Sequence, residues 1–419
     1  MKALEKTQKP KGPVGFSGLI RGMLGKIDSR LLVAVLVLLV TPMFQPGLIS
    51  NLENDLFIKV WRLWRLGAAF VILTLFFFSR KTKDIFSYTA LLFIASVLVS
   101  TIINKGSVNL WVNRWIPIAA MVMLVVLLVT EKRSRELVLT VYVVCFSMAV
   151  INFGSIILFP QGLYGDVPGI SFFFGNRNNT YQVLIPAIVC GYLVDLCQGR
   201  RIPAAMLGAY GVALVQIAII QSMTTLIALV CLGIFLLCIQ WRVARKLLNG
   251  LTYLALSIAA FIVVVVVRLE NVFGFLIVDV LHRNITFTGR TLIWDMVFDF
   301  MDKQHALWGY GLSGYKLFEN PGYTHAHNEF LNVWFVGGIV GLLLFLMLLG
   351  LAACALYRNR AAMEVGVVAA GVGALFVIGV AEQITTPAFF LLLALAFYCP
   401  GLWGESGRSG ALKKSLANY

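Results

Sequence analysis

The chain has 419 residues, of which 60% are hydrophobic and 13% charged, and its formal net charge is +15. Soluble domains carry about 25% charged residues, so this composition excludes an ordinary soluble globular protein. Apolar runs of about 18 residues or more recur along the whole length, too long and too unbroken for barrel strands, and the expected fold class is all-α and polytopic in a membrane.

In chain order, residues 1–30 form a basic tail holding Lys2, Lys6, Lys9, Lys11, Arg21, Lys26 and Arg30. Within it, 13–29 reads as a short amphipathic helix for the inner leaflet. About twelve transmembrane helices are expected after it. Nine lie in 31–268, near 31–50, 66–79, 86–104, 115–130, 138–159, 180–197, 202–220, 223–241 and 248–268. Residues 269–327 make the one connection too long for a turn. The remaining spans lie in 328–403, near 328–356, 362–381 and 385–403, before a short tail at 404–419. The 328–356 run is long enough to tilt or to project from the bilayer. No cleavable signal peptide is read, and the first span is expected to act as an uncleaved anchor.

Lys and Arg mark every second connection: Arg80/Lys81/Lys83, Lys132/Arg133/Arg135, Arg200/Arg201, Arg242/Arg245/Lys246, Arg358/Arg360 and Arg408/Lys413/Lys414. Both termini are therefore expected in the cytoplasm. This bias accounts for most of the net charge, which gives no argument for nucleic acid. Lys59-Val60-Trp61-Arg62-Leu63-Trp64-Arg65 breaks the trend by falling in the first loop on the outer side. It reads as an interfacial aromatic belt, or as a site where Arg62 and Arg65 meet anionic lipid headgroups or a pyrophosphate. The cysteines all fall in or beside predicted spans, with no disulfide framework in the long loop and no CxxC metal spacing.

The long loop ends on Thr324-His325-Ala326-His327-Asn328-Glu329 at the mouth of a span. That helix would point its free N–H groups outward, favouring a neutral His327 able to accept a proton and offering donors to a phosphate. His325 and His327 would lie about 200° apart on a helix, so they share a face only in an extended segment. Metal binding would need His282, His305, Asp279 or Glu329 as further ligands, without the spacing of a strong motif. No metal and no cofactor is expected. Earlier in the loop, Gly289-Arg290-Thr291 opens an amphipathic helix over 291–303, with Leu292, Ile293, Met296, Val297 and Phe300 on one face and Asp295, Asp299 and Asp302 off it. Arg290 would pair with Asp295 or Asp299, or bind phosphate in bidentate fashion. Gly309-Tyr310-Gly311 and Ser313-Gly314 then form a flexible turn. Two other outer helix starts carry polar clusters that either cap helices or bind substrate: Asn176-Arg177-Asn178 and Ser222-Met223-Thr224-Thr225. A base and a guanidinium beside a bilayer suggest chemistry on a lipid-linked anion.

Gly289-Arg290, the aromatic-rich helix after it, Gly309-Tyr310-Gly311, His327-Asn328 and Gly338-Ile339-Val340-Gly341 together resemble the carboxyl-terminal region of O-antigen ligases, a region shared with O-antigen polymerases and O-oligosaccharyltransferases. The resemblance is strongest over about 170–345. It implies a glycosyltransferase fold of the C type (GT-C) in the bacterial inner membrane, with one large periplasmic loop and a periplasmic active site. The implied donor is an undecaprenyl-diphosphate-linked glycan. For a ligase, the acceptor is a sugar hydroxyl of lipid A-core and the product is lipopolysaccharide. By the same resemblance His327 is the base and Arg290 holds the diphosphate. Arg177, Asn176, Asn178, Arg62, Arg65, His325, Asn328 and Tyr310 complete the expected substrate-binding set. The chain departs from the family where Ser222 is followed by Met223, since many members carry Ser-Arg there; Arg177, Arg62 or Arg65 would have to replace that arginine. No outer-side arginine has the glycine eleven positions later that marks many polymerases, which favours the ligase. A retaining route would need Glu329 or Glu382 as nucleophile. A transporter of lipid-linked oligosaccharide is the non-enzymatic alternative.

Overall fold

The computed structural model describes residues 27–51, 55–79, 84–163, 171–268, 290–301, 303, 305–312 and 325–401. Residues 13–26 of the expected inner-leaflet helix, most of the 269–327 loop, His282, Asp279, Gly289 and the C-terminal tail lie outside them.

Helices occupy each of the stretches where the apolar runs place spans. Together with one helix in the long loop, α10 (Arg290–Phe300), they are α1 (Ser29–Val40), α2 (Asp55–Phe78), α3 (Ile85–Ile103), α4 (Val108–Thr130), α5 (Ser134–Leu158), α6 (Tyr181–Cys197), α7 (Ala204–Ile220), α8 (Met223–Cys238), α9 (Gly250–Phe261), α11 (Glu329–Arg358), α12 (Met363–Gly379) and α13 (Pro387–Tyr398). Among the described residues, six helices are long and apolar enough to cross a membrane: those at α2 to α6, and α11. The protein is an integral membrane helix bundle. The α4, α6, α12 and α13 helices sit at its centre, buried along most of their length. Their flanks include α3 on α11, α5 on α6 and α8 on α12. Pro117 and Pro186 lie inside α4 and α6, which neighbouring helices in a bundle can accommodate.

Side-chain caps define several starts. Asp84 and Ser87 form a capping box on α3, Ser107 accepts from Leu110 N–H at the start of α4, and Thr386 accepts from Phe389 N–H ahead of Pro387. The basic segment Lys59–Arg65 is not a loop. It forms part of α2, whose helix begins at Asp55, some ten residues before the hydropathy of the span does.

The longest helix, α11, is broken rather than simply tilted. Gly338 adopts φ 63°, ψ −163° inside it, a conformation that only glycine takes up without strain. The break frees backbone groups, and the 305–310 segment satisfies them. Ile339 N–H donates to Ala306 O, Val340 N–H to Leu307 O, and Phe335 O accepts from Tyr310 N–H. Ser100 Oγ donates to Val336 O. Gly309 (φ 71°) lies so close to this kink that a Cβ there would collide with Phe335 O and Val336 C. Gly309-Tyr310-Gly311 is therefore a docking segment for the kink in α11, in place of the flexible turn its composition suggests.

A two-stranded hairpin precedes α6. It pairs β1 (Ser171–Phe172) antiparallel with β2 (Gly175–Asn176), in the register Ser171↔Asn176 and Phe172↔Gly175. Buried Asn152 of α5 fixes it by accepting from Phe174 N–H at 2.8 Å and donating to Gln216 at 2.9 Å. This anchorage sets the position of the polar segment that follows at 176–179.

Candidate active site

Five separate segments converge at one end of the bundle, and Glu382 is where they meet. Glu382 lies in the α12–α13 connection and is only 5% exposed. Its Oε1 accepts from Arg290 Nη2 at 2.5 Å and from Asn178 Nδ2 at 2.9 Å. Its Oε2 lies 3.1 Å from His327 Nδ1 and 3.8 Å from His325 Nε2. Burial pushes this carboxyl up, but the hydrogen bond with His327 and the charge of Arg290 outweigh it and hold the group at about 2. An ionised carboxylate can only accept, so His327 Nδ1 carries the proton of that bond, and in the neutral ring Nε2 is the acceptor nitrogen.

The sequence His327-Asn328-Glu329 builds this arrangement locally. His327 has φ 49°, a left-handed conformation that is uncommon without glycine and clusters at functional sites. The segment is thus turned, not extended. Both imidazoles nevertheless reach the same carboxylate, with ring centroids 4.0 Å apart and His327 N–H donating to His325 Nδ1 at 3.2 Å. Asn328 caps α11 by accepting from Leu331 N–H at 3.0 Å, and its amide donates to Val380 O at 3.0 Å. The buried Glu329 carboxylate accepts from Ile384 N–H at 2.6 Å, from Thr385 N–H at 3.1 Å and from the Thr385 hydroxyl. Asn328 and Glu329 therefore clamp the 380–385 loop on both sides of Glu382, while His327 meets its carboxylate directly. Tyr181 adds a hydroxyl bond to Gln383 O at 2.8 Å.

The Asn176–Asn178 segment reaches the same place. Asn176 Oδ1 accepts from Asn178 N–H at 3.0 Å in a local turn, which aims the Asn178 amide at Glu382. Ser222 does not cap α8 with its side chain; its hydroxyl donates to Asn178 Oδ1 at 3.0 Å. Half-buried Arg177 adjoins Asn178 in sequence, and among the described residues its guanidinium is not part of this network.

Other expected site residues fall elsewhere. Arg290 pairs with neither Asp295 nor Asp299. Arg268 takes Asp295 instead, at 2.5 Å, and its guanidinium lies 5.2 Å from the Trp294 ring centre. The buried face of α10 runs through Thr291, Ile293, Trp294 and Val297, whereas Leu292 is 57% exposed. Tyr310 is committed to the kink: its hydroxyl donates to Phe300 O at 2.6 Å and its ring stacks on His305. Arg65 is only 8% exposed and bonds Gln45 and, at 2.9 Å, Asn113, while Arg62 bonds Asn109. These arginines order the N-terminal half of α2 against α4. One contributor escapes sequence reading altogether: the exposed Arg114 of α4 acts electrostatically on His325. Burial and the neighbouring His327 push His325 down to about 3, Glu382 opposes this, and Arg114 and Arg290 add to the lowering. His325 is neutral at any ordinary pH.

Donor atoms of His325, His327 and Glu382 lie within 4.8 Å of one another and could hold a metal ion. The Arg290 guanidinium on the same carboxylate fits a cation poorly and an anion well. The set suits a neutral or anionic substrate with a hydroxyl to deprotonate.

No curated protein matches the chain. Residues 209–346, which include Arg290, His327 and the Gly338 kink, match the family model described as O-antigen ligase. The match spans about a third of the chain and supports an O-antigen ligase family assignment, which implies a glycosyl-transfer-type enzyme.

Proposed function

We propose that the protein is an O-antigen ligase. It moves a glycan from undecaprenyl diphosphate to a sugar hydroxyl of lipid A-core on the periplasmic face of the inner membrane. The observation that carries the reading is the Glu382–His327 contact at 3.1 Å with Arg290 on the other carboxylate oxygen. A buried carboxylate orients the imidazole with Nδ1 as donor, and Nε2 of the neutral ring acts as the general base.

In the proposed reaction, His327 Nε2 takes the acceptor hydroxyl proton as the oxygen attacks the anomeric carbon. The bond from that carbon to the diphosphate oxygen breaks, and its electron pair leaves with the diphosphate. Arg177 and the donors of Arg290 not used by Glu382 neutralise the departing charge. Attack opposite the leaving group inverts the anomeric centre. Two facts support a single displacement over a covalent intermediate: both Glu382 oxygens already have partners, and Glu329 is buried and bonded to the 384–385 backbone. Arginine takes the electrostatic role a divalent ion would otherwise fill, so the reaction is metal-independent in this reading. The reading further includes about twelve spans in a GT-C arrangement, both termini in the cytoplasm, and 269–327 as one long periplasmic loop.

The test uses purified protein in liposomes with polyprenyl-diphosphate-linked glycan, rough lipopolysaccharide and EDTA. Transfer of glycan to lipid A-core is the expected product. Elongated polyprenyl-linked glycan without that transfer would make the protein a polymerase. Activity restored only by added divalent metal would contradict the metal-free mechanism.

A further inference from the structure

The N-terminal half of α2 carries two guanidiniums held only by neutral partners. Arg62 and Arg65 stand at i and i+3 and so share a face of the helix. Among the described residues, every hydrogen bond they make goes to an amide oxygen. Arg65 Nη1 donates to Gln45 Oε1 and its Nη2 to Asn113 Oδ1 at 2.9 Å, while Arg62 Nη2 donates to Asn109 Oδ1. Neither arginine forms an ion pair with a described residue. The amides are themselves tied down through their nitrogens. Gln45 Nε2 donates to Ser50 Oγ at 2.8 Å, and Asn113 Nδ2 donates to Asn109 O at 2.8 Å.

Two donors in this frame are left over. Arg65 is nine-tenths buried, and its Nε has no hydrogen-bond partner among the described residues. The buried indole Nε1 of Trp61, at i−4 on the same face, has none either. A buried cation is ordinarily paired with an anion. Arg65 instead has two amide oxygens and a second cation beside it. The cluster lacks a negative charge carrying several acceptor atoms, and a phosphate supplies both.

The surroundings identify where that phosphate comes from. Leu56, Val60 and Leu63 form one exposed apolar stripe of α2 next to Arg62. Trp64 is exposed beside them, and its indole N–H donates to Leu38 O at 3.0 Å. In a membrane helix, such a stripe faces acyl chains, and tryptophan marks the level of the headgroups. No member of the cluster bonds Glu382, whose partners are Arg290, Asn178 and His327.

We propose that Arg62 and Arg65 form a binding site for the phosphate of an anionic phospholipid headgroup, with the acyl chains on the stripe of Leu56, Val60 and Leu63. Half-buried Arg62 meets the phosphate from the bilayer side, and Arg65 supports it from within the bundle. The bound lipid neutralises the arginine pair and braces α2 against α4 and the 45–50 segment. The site is independent of the proposed transfer reaction.

The test uses the full-length protein, delipidated in detergent, with phosphatidylglycerol, phosphatidylcholine or inorganic phosphate added. Native mass spectrometry follows the retained lipid, and a thermal ramp gives the unfolding midpoint. Phosphatidylglycerol should be retained and should raise the midpoint; the other two should do neither. Phosphatidylglycerol with a photoactivatable headgroup should label 57–65 or 109–114 of the unaltered chain. Arg62→Gln should cut retention at least about fivefold, and Arg62→Lys should keep most of it. Equal retention of phosphatidylcholine, an equal shift with inorganic phosphate, labelling elsewhere, or unchanged retention in Arg62→Gln would overturn the site. Stronger displacement by rough lipopolysaccharide than by phosphatidylglycerol would give the arginines to a glycolipid and also overturn it.

Discussion

At the residue scale the account turns on Glu382, which fixes the tautomer of His327 and is itself fixed by Arg290 and Asn178. Glu382→Gln keeps the shape but removes the charge that holds the Nδ1 proton in place. Transfer should fall by roughly 10²–10⁴-fold, the range for loss of general acid–base assistance, while the protein still inserts and elutes as wild type. Held at about 2, Glu382 stays ionised across the working range. The deficit in Glu382→Gln is therefore expected at every pH from about 5 to 9, and a deficit confined to one limb of the pH–rate profile would show that the carboxylate acts otherwise. Its depressed pKa also stabilises the fold above the ordinary carboxylate range, a contribution lost as pH falls towards 2. His325 adds to acid sensitivity from higher pH: held at about 3 when folded, it takes up a proton only on unfolding as pH falls below about 6.5.

At the element scale, the helices were legible because burial in a bilayer demands long apolar runs, and nothing else satisfies the backbone there. His327, Asn328 and Arg290 were legible too, as polar groups standing where apolar ones are cheaper. Glu382 was visible as a residue but not as the centre of the site. Its partners lie 204, 92 and 55 positions away in sequence, and no local pattern encodes such a meeting. The partner of Arg290 was misread for the same reason, since Asp295 and Asp299 were close in sequence and Glu382 was not. Gly338 was recognisable as part of a motif, while the reason for it, a broken turn whose free groups are taken up by 306–310, needed three dimensions. Gly338→Ala puts a Cβ against Leu307 and Gly309 at positive φ. It should destabilise the detergent-solubilised protein by about 1–3 kcal/mol, the cost of a strained backbone position, seen as a lower thermal midpoint. An unchanged midpoint would mean that the kink relaxes freely.

At the scale of the whole molecule, the bundle brings segments from α6, α8, α10, α11 and the α12–α13 connection to one end. The basic connections near Arg133, Arg200, Arg245 and Arg360 gather at the other, where Arg245 bonds Ala361 O across the bundle. The matched family domain, residues 209–346, supplies the arginine and the histidine, while Asn178 and Glu382 come from outside it. The site is thus completed by parts of the chain that the domain alone does not contain. The most direct measurement is the rate of glycan transfer to lipid A-core by purified His327→Ala protein, beside wild type and in EDTA. The account predicts robust transfer by the wild type and loss of at least roughly 10²-fold in the variant, with unchanged insertion and thermal stability. Wild-type rates in His327→Ala would contradict it.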